Sequence, residues 1–237
     1  MIIQLKLLKR GLIDDGKVVK YLLYAIGEIC LVVIGILIAL QFNNMNLTKQ
    51  YRKTELQYYE TMKSQLVEDR GLIENELHGL AERKHVYSIG SRIIENNDRN
   101  RMDELAKISL RLLEYGDFRR RSNVFQTLVY SGEIKHIKNK NIIGILQELE
   151  RIYKITERLE GTQASMVMNH SAPAVLEIIN VTTAEIVSAD LEFSPLFTNL
   201  FPVTSNIVFE KITLFGEAIG QIDMALAEID AELETAN

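Results

Sequence analysis

The sequence predicts a mostly α protein: one N-terminal transmembrane helix continuing into an exported bundle of long up-and-down helices. Three observations carry this. Residues 21–42, YLLYAIGEICLVVIGILIALQF, form a 22-residue apolar run with one formal charge, Glu28. The stretch from Leu47 to about Asn96 has no proline and repeats an apolar residue every seventh position. The C-terminal 30 residues carry an unbroken heptad pattern.

At about 1.5 Å per residue, 22 helical residues span roughly 33 Å, enough for a ~30 Å hydrocarbon core. The run is too long for the apolar region of a cleaved signal peptide, and no small-residue cleavage site follows it. Lys6, Lys9, Arg10, Lys17 and Lys20 precede it, whereas only Lys49, Arg52 and Lys53 follow closely. That imbalance predicts a cytoplasmic N-terminus and an exported C-terminal domain. The expected division is 1–20 as a basic leader, 21–42 as the span and 43–237 as the helical domain. The leader, MIIQLKLLKRGL over its first 12 residues, reads equally as a short helix on an anionic membrane surface or as a basic tail.

Within the long helix, Tyr59, Leu66, Ile73, Leu80 and Tyr87 form one stripe, with Leu56, Met62 and Leu77 beside it. ENNDRN, residues 95–100, predicts a turn. A helix over Asp103–Tyr115 ends at Gly116. Ser122 is the expected cap of a helix over Asn123–Tyr130 that stops at Gly132. Asn139 or Asn141 caps a further helix through Leu159, with Gly161 as its end. Pro173 suits a first helical turn. Leu191–Pro202 reads as a loop tucked onto the bundle, in preference to a partner-binding or membrane-dipping tip.

The last helix carries Val208, Ile212, Phe215, Ile219, Ile222, Leu226, Ile229 and Leu233, stepping by 4 and 3 alternately. Residues from Ile212 to Leu233 in this seam are the expected packing surface. The partner is either the long helix of the same chain, antiparallel, or a second copy.

No motif for catalysis appears: no phosphate-cradling glycine loop, no G-x-S-x-G and no H-E-x-x-H. The only cysteine, Cys30, lies inside the span, so the exported part has no disulfide and no thiol chemistry. His78 and His85 share a helix face but lie two turns apart, too far for a metal pair. Removing the five basic and three acidic residues of the first 42 from the 27 and 32 of the whole chain leaves 22 against 29. A net charge near −7 excludes a nucleic-acid surface. Arg119–Arg121 reads as a solvated turn rather than an anion site. No catalytic, cofactor or metal residue is assigned, and no small-molecule substrate is expected.

Glu28 is the costly residue, at roughly 2.5–3.5 kcal/mol if charged at mid-membrane. Gly35 and Ala39 form a small-xxx-small pair, and Gly35 lies seven residues from Glu28, so that side of the span is the expected helix–helix contact.

Lys20–Asn44, KYLLYAIGEICLVVIGILIALQFNN, resembles the N-terminal signature of an uncharacterised family of single-pass membrane proteins from Bacteroidota-type bacteria, catalogued as a domain of unknown function. Asn123–Ile142, NVFQTLVYSGEIKHIKNKNI, is similar to that family's mid-domain pattern. The chain departs from it at Met45 and Asn46, where the family tends to carry Trp and an acidic residue. The resemblance implies an inner-membrane location with a periplasmic domain and supplies no activity. The resulting expectation is a non-enzymatic protein acting by protein–protein interaction, in contact with membrane lipid, as a homo-oligomer or part of a larger membrane complex. The competing expectations are a signal-relaying sensor, a proton-coupled subunit using Glu28, and an enzyme of unrecognised type.

Overall fold

The computed structural model describes residues 17–121, 123–188 and 193–235. The leader's first 12 residues and Ser122 therefore lie outside the described residues. The elements are α1 (Lys17–Glu95), a 3-10 turn (Arg99–Arg101), α2 (Met102–Leu110), α3 (Val124–Ser131), α4 (Lys140–Met166) and α5 (Ala172–Ile178). A two-residue hairpin follows, β1 (Ile179–Asn180) paired antiparallel with β2 (Glu185–Ile186), and then α6 (Pro195–Glu234). The mostly α fold is as predicted.

The chain divides into two compact units, Met1–Thr54 and Glu55–Asn237, and α1 contributes to both. In the first unit every residue from Leu22 to Gln50 is exposed.

In the second unit, the Glu55–Glu95 part of α1 supplies the predicted stripe. Tyr59, Leu66, Ile73, Leu80 and Tyr87 are each 0–1% exposed. Helix α6 runs antiparallel to it in constant register. Lys63 pairs with Asp230 at 2.6 Å, Arg70 with Asp223 at 2.8 Å, and Lys84 sits 4.5 Å above the Phe209 ring. At Gly90 the two helices nearly touch: a Cβ there would stand 2.5 Å from Phe201. The seam of α6 thus packs on α1 within the chain. It also packs on α4, so α6 buries a wider face than a two-stranded seam does. Val208, Phe215, Ile222 and Ile229 are buried as the heptads require, but their partners in the core are Lys211, Ala218 and Ala225. Ile212, Ile219, Leu226 and Leu233 are half-buried on the flank.

Helix α4 runs antiparallel to α6 and parallel to α1. The parallel arrangement obliges residues 111–139 to travel back along the bundle. They descend α1 in order. The Arg111 carbonyl accepts from the Tyr87 hydroxyl at 2.8 Å, Arg121 lies at Asp69, Asn123 at Gln65, Glu133 at Tyr58, and Lys138 at Glu55.

Local signals explain most ends. Asp98 accepts from the Asn100 N–H after α1 stops at Glu95, and Asn97 adopts a left-handed φ of 49°. Gly132, at φ 74°, closes α3. Asn139 caps α4, accepting from Asn141 and Ile142. Three expectations fail. The helix expected over Asp103–Tyr115 stops short of Gly116: α2 ends at Leu110, a 3-10 turn follows over Arg111–Leu113, and Glu114 is extended. Gly161 does not end α4, which runs to Met166 and through a π-helical turn, Val167–Ser171, into α5. One exposed glycine costs only about 1 kcal/mol in a helix whose flanking turns are packed. The wide turn stands just before Pro173, whose missing N–H cannot complete the α pattern. Pro195–Pro202 is not a loop but the start of α6. Ser194 caps it, Pro195 fits the first turn, and Pro202 is tolerated because Phe197, Leu200 and Phe201 anchor that turn in the core. Leu191 and Glu192 lie outside the described residues.

Gly90→Ala is expected to lower stability by about 1–3 kcal/mol, because the ring of Phe201 must give way. Thermal unfolding of the full chain in detergent measures this. Burial pushes the Tyr87 hydroxyl up to about 12. Burial, then the Glu55 carboxylate, pushes Tyr59 higher still. An unfolded tyrosine ionises near 10, so this stabilisation is complete below pH 10 and lost as pH rises toward 12. Denaturation curves between pH 9 and 12 should lose roughly 2–3 kcal/mol through Tyr87, and Tyr87→Phe should remove that part of the slope.

Candidate functional site

Two places in the chain hold polar groups where their solvation is costly: the apolar segment of the first unit and the return segment of the second.

In the first, Glu28, Gly35 and Ala39 are exposed along the outside of α1. Nothing stands within 4 Å of where a Gly35 Cβ would sit. Among the described residues, the chain has one helix long and apolar enough to cross a membrane.

In the second, the return segment is irregular from Glu114 to Arg121 and at Asn123, so these N–H groups have no helix or sheet ladder. Side chains of the long helices accept them. Glu160 on α4 accepts from Phe118 at 3.1 Å, and Asp69 on α1 accepts from Arg121 at 2.5 Å. Gln65 accepts from Asn123 and Val124 at 3.0 and 3.1 Å, and Glu55 accepts from Lys138 at 2.6 Å. Glu55, Asp69 and Glu160 are all buried. Tyr153 on α4 donates to Asp69 at 3.0 Å, tying α4 to α1 through the same carboxylate.

Lys211 on α6 is 1% exposed and lies 2.7 Å from Glu160. Gly116 leaves room for its ammonium, since a Cβ there would stand 3.3 Å from Nζ. Phe118 inserts beside this pair, its ring centroid 5.1 Å from Phe215 and 6.1 Å from Tyr153. Arg120 binds Glu150, which also accepts from Gln126 at 2.8 Å, and the guanidinium lies 4.8 Å from the Tyr153 ring centroid. The basic triplet is therefore not a uniformly solvated turn: Arg119 is exposed and pairs with Asp117, while Arg120 is held against α4.

Between this segment and α4 lies a cavity of about 440 Å³, with Phe118, Arg120, Tyr153, Lys154 and Glu160 in its wall. A shallower one of about 370 Å³ adjoins it across Gln126 and Lys154, beside Tyr130 of α3, which is 86% exposed. Arg120, Glu150 and Glu160 are already paired within the chain, which fits these groups to holding the segment in place.

The sequence reading missed this network. Its one legible sign is Lys211, a lysine on the inner face of an otherwise apolar heptad helix. Glu55, Asp69 and Glu160 each fall on the buried side of their helices, but acidic residues are common enough on helices to hide them. Phe215, Ile222 and Ile229 of the predicted seam sit in the same core as Phe118. His78 and His85 are both outside that core, on α1.

Lys211→Met is expected to cost about 3–5 kcal/mol, because Glu160 then stays buried without its counter-charge. Adding Glu160→Gln should recover much of that loss. Urea denaturation of Lys211→Met, Glu160→Gln and the double variant measures the coupling; a double-variant loss equal to the sum of the two single losses would show that the pair is not coupled.

The family model of DUF6090, described as a family of unknown function, matches residues 28–209. No curated protein and no solved structure matches the chain.

Proposed function

This chain belongs to the DUF6090 family of unknown function, and from that premise we propose a membrane-anchored helical protein that works by protein–protein contact. It has no catalytic activity of its own in this reading. It serves as an oligomeric scaffold or as an accessory subunit of an envelope complex.

The observation that carries the proposal is the uncovered apolar run of α1. From Leu22 to Phe42 no side chain is covered by the rest of the chain, although 20 of these 21 residues carry no charge. That much continuous apolar surface on a helix calls for lipid or protein around it. The excess of Lys and Arg before the run supports a cytoplasmic N-terminus and a periplasmic Glu55–Asn237 unit. The second unit supports a binding role in a different way. Its long helices already bury one another through α1, α4 and α6, so it holds a fixed shape without a partner in the core. The Glu28, Gly35 and Ala39 side of the anchor is the proposed contact within the membrane.

Extraction in a mild detergent followed by native mass measurement tests the reading. The expected species is larger than the 27.1 kDa chain, as a multiple of itself or with other proteins in fixed ratio. A homogeneous lone chain under these conditions contradicts it. For orientation, Thr61→Cys should react with a membrane-impermeant maleimide from the periplasmic side of intact inner membranes, while native Cys30 stays shielded. Reaction of the introduced thiol only after the inner membrane is opened would invert the topology.

A further inference from the structure

The apolar segment carries one formal charge, and its surroundings specify what can meet it. Among the described residues nothing pairs with Glu28, and every residue from Leu22 to Gln50 is exposed. This inference rests on the membrane-anchored reading above. With the span centred near Val32, Glu28 stands about 6 Å from the bilayer midplane at ~1.5 Å per residue. It is therefore about 9 Å inside the edge of a ~30 Å hydrocarbon core. Its short side chain covers only part of that distance. An ionised carboxylate costs about 2.5–3.5 kcal/mol at the bilayer centre and remains costly at this depth, where acids pair with other protein groups.

Three features narrow the partner. At roughly 100° per residue, Gly35 and Ala39 lie about 20° to either side of Glu28 around the helix. The space at Gly35 is open, so another backbone can come close along the same face. A second copy has the same orientation in the membrane. A symmetric pair through this face would then set Glu28 against Glu28 at equal depth, where the two like charges repel in a low-dielectric surround. The complementary group is a cation, and in a membrane-spanning helix that is arginine or lysine. We infer that the Glu28 face takes a transmembrane helix of a different membrane protein, one that presents an arginine or lysine at the depth of Glu28.

The test uses the full chain reconstituted in phospholipid vesicles with a donor dye at its C-terminus. The probes are synthetic Leu/Ala transmembrane peptides carrying an acceptor dye. One has a single arginine placed at the depth of Glu28, a second has leucine there, and a third has glutamate. The arginine peptide should reach half-maximal energy transfer at roughly tenfold lower peptide fraction than the leucine peptide, and the glutamate peptide should do no better than leucine. Glu28→Gln should abolish the arginine preference, and Gly35→Leu should weaken it. Equal transfer from the arginine and leucine peptides overturns the inference. So does transfer between labelled copies of the chain that excludes the arginine peptide, since it makes the face self-associating. Carbonate washing of the vesicles separates anchoring from partner choice. A chain that washes off sinks the anchored reading itself, whereas a retained chain indifferent to arginine sinks only the partner.

Discussion

The constraint on which the helical unit depends is that two of its long helices, the Glu55–Glu95 part of α1 and α4, run parallel. Parallel neighbours cannot be joined by a tight turn. The chain must come back along the bundle before the second helix begins, and residues 111–139 do so. Residues 114–121 and Asn123 have no helix or sheet ladder, so their amides need other acceptors. The acceptors are placed in advance on the helices it passes: Glu55, Gln65, Asp69 and Glu160. Burying carboxylates is costly, but each one here satisfies backbone donors, and Glu160 also neutralises Lys211. The polar groups in this core therefore specify the path of the chain, while the apolar stripe drives its collapse.

Other features follow from that path. Gly116 is small because the segment passes over the Lys211 ammonium. Phe118 fills the gap between Tyr153 of α4 and Phe215 of α6, closing the core beneath the segment. Arg120 binds Glu150 and lies over Tyr153, so the segment is held by its side chains as well as its amides. Helix α6 then packs on both parallel helices at once. This is why its buried face is broader than the heptad alone implies, and why Ala218 and Ala225 occupy core positions.

What was legible in the sequence follows from periodicity and punctuation. The stripe Tyr59–Tyr87, the caps at Asn139 and Gly132 and the turn after Glu95 all have local causes, and local causes are written in local residues. The misreadings share one source, which is tertiary packing overriding a local signal. Gly161 and Pro202 are helix breakers in isolation, yet both lie inside helices whose neighbouring turns are buried. The direction of α4 relative to α1 has no local signature, so neither the return segment nor its acceptors were visible. Glu28 was legible for the opposite reason: an acid within a long apolar run is conspicuous without any knowledge of the fold. The two units thus place their telling polar residues differently. In the helical unit these residues are satisfied within the chain, and in the apolar run Glu28 has no such partner among the described residues.

Amide hydrogen exchange, followed residue by residue on the folded full chain, tests the central claim most directly. The account predicts strong protection at Phe118, Arg121, Asn123 and Lys138, in a segment without regular secondary structure around the first three, with neighbouring amides that lack such acceptors exchanging much faster. Uniform exchange across residues 114–123 at the rate of an open loop would contradict it.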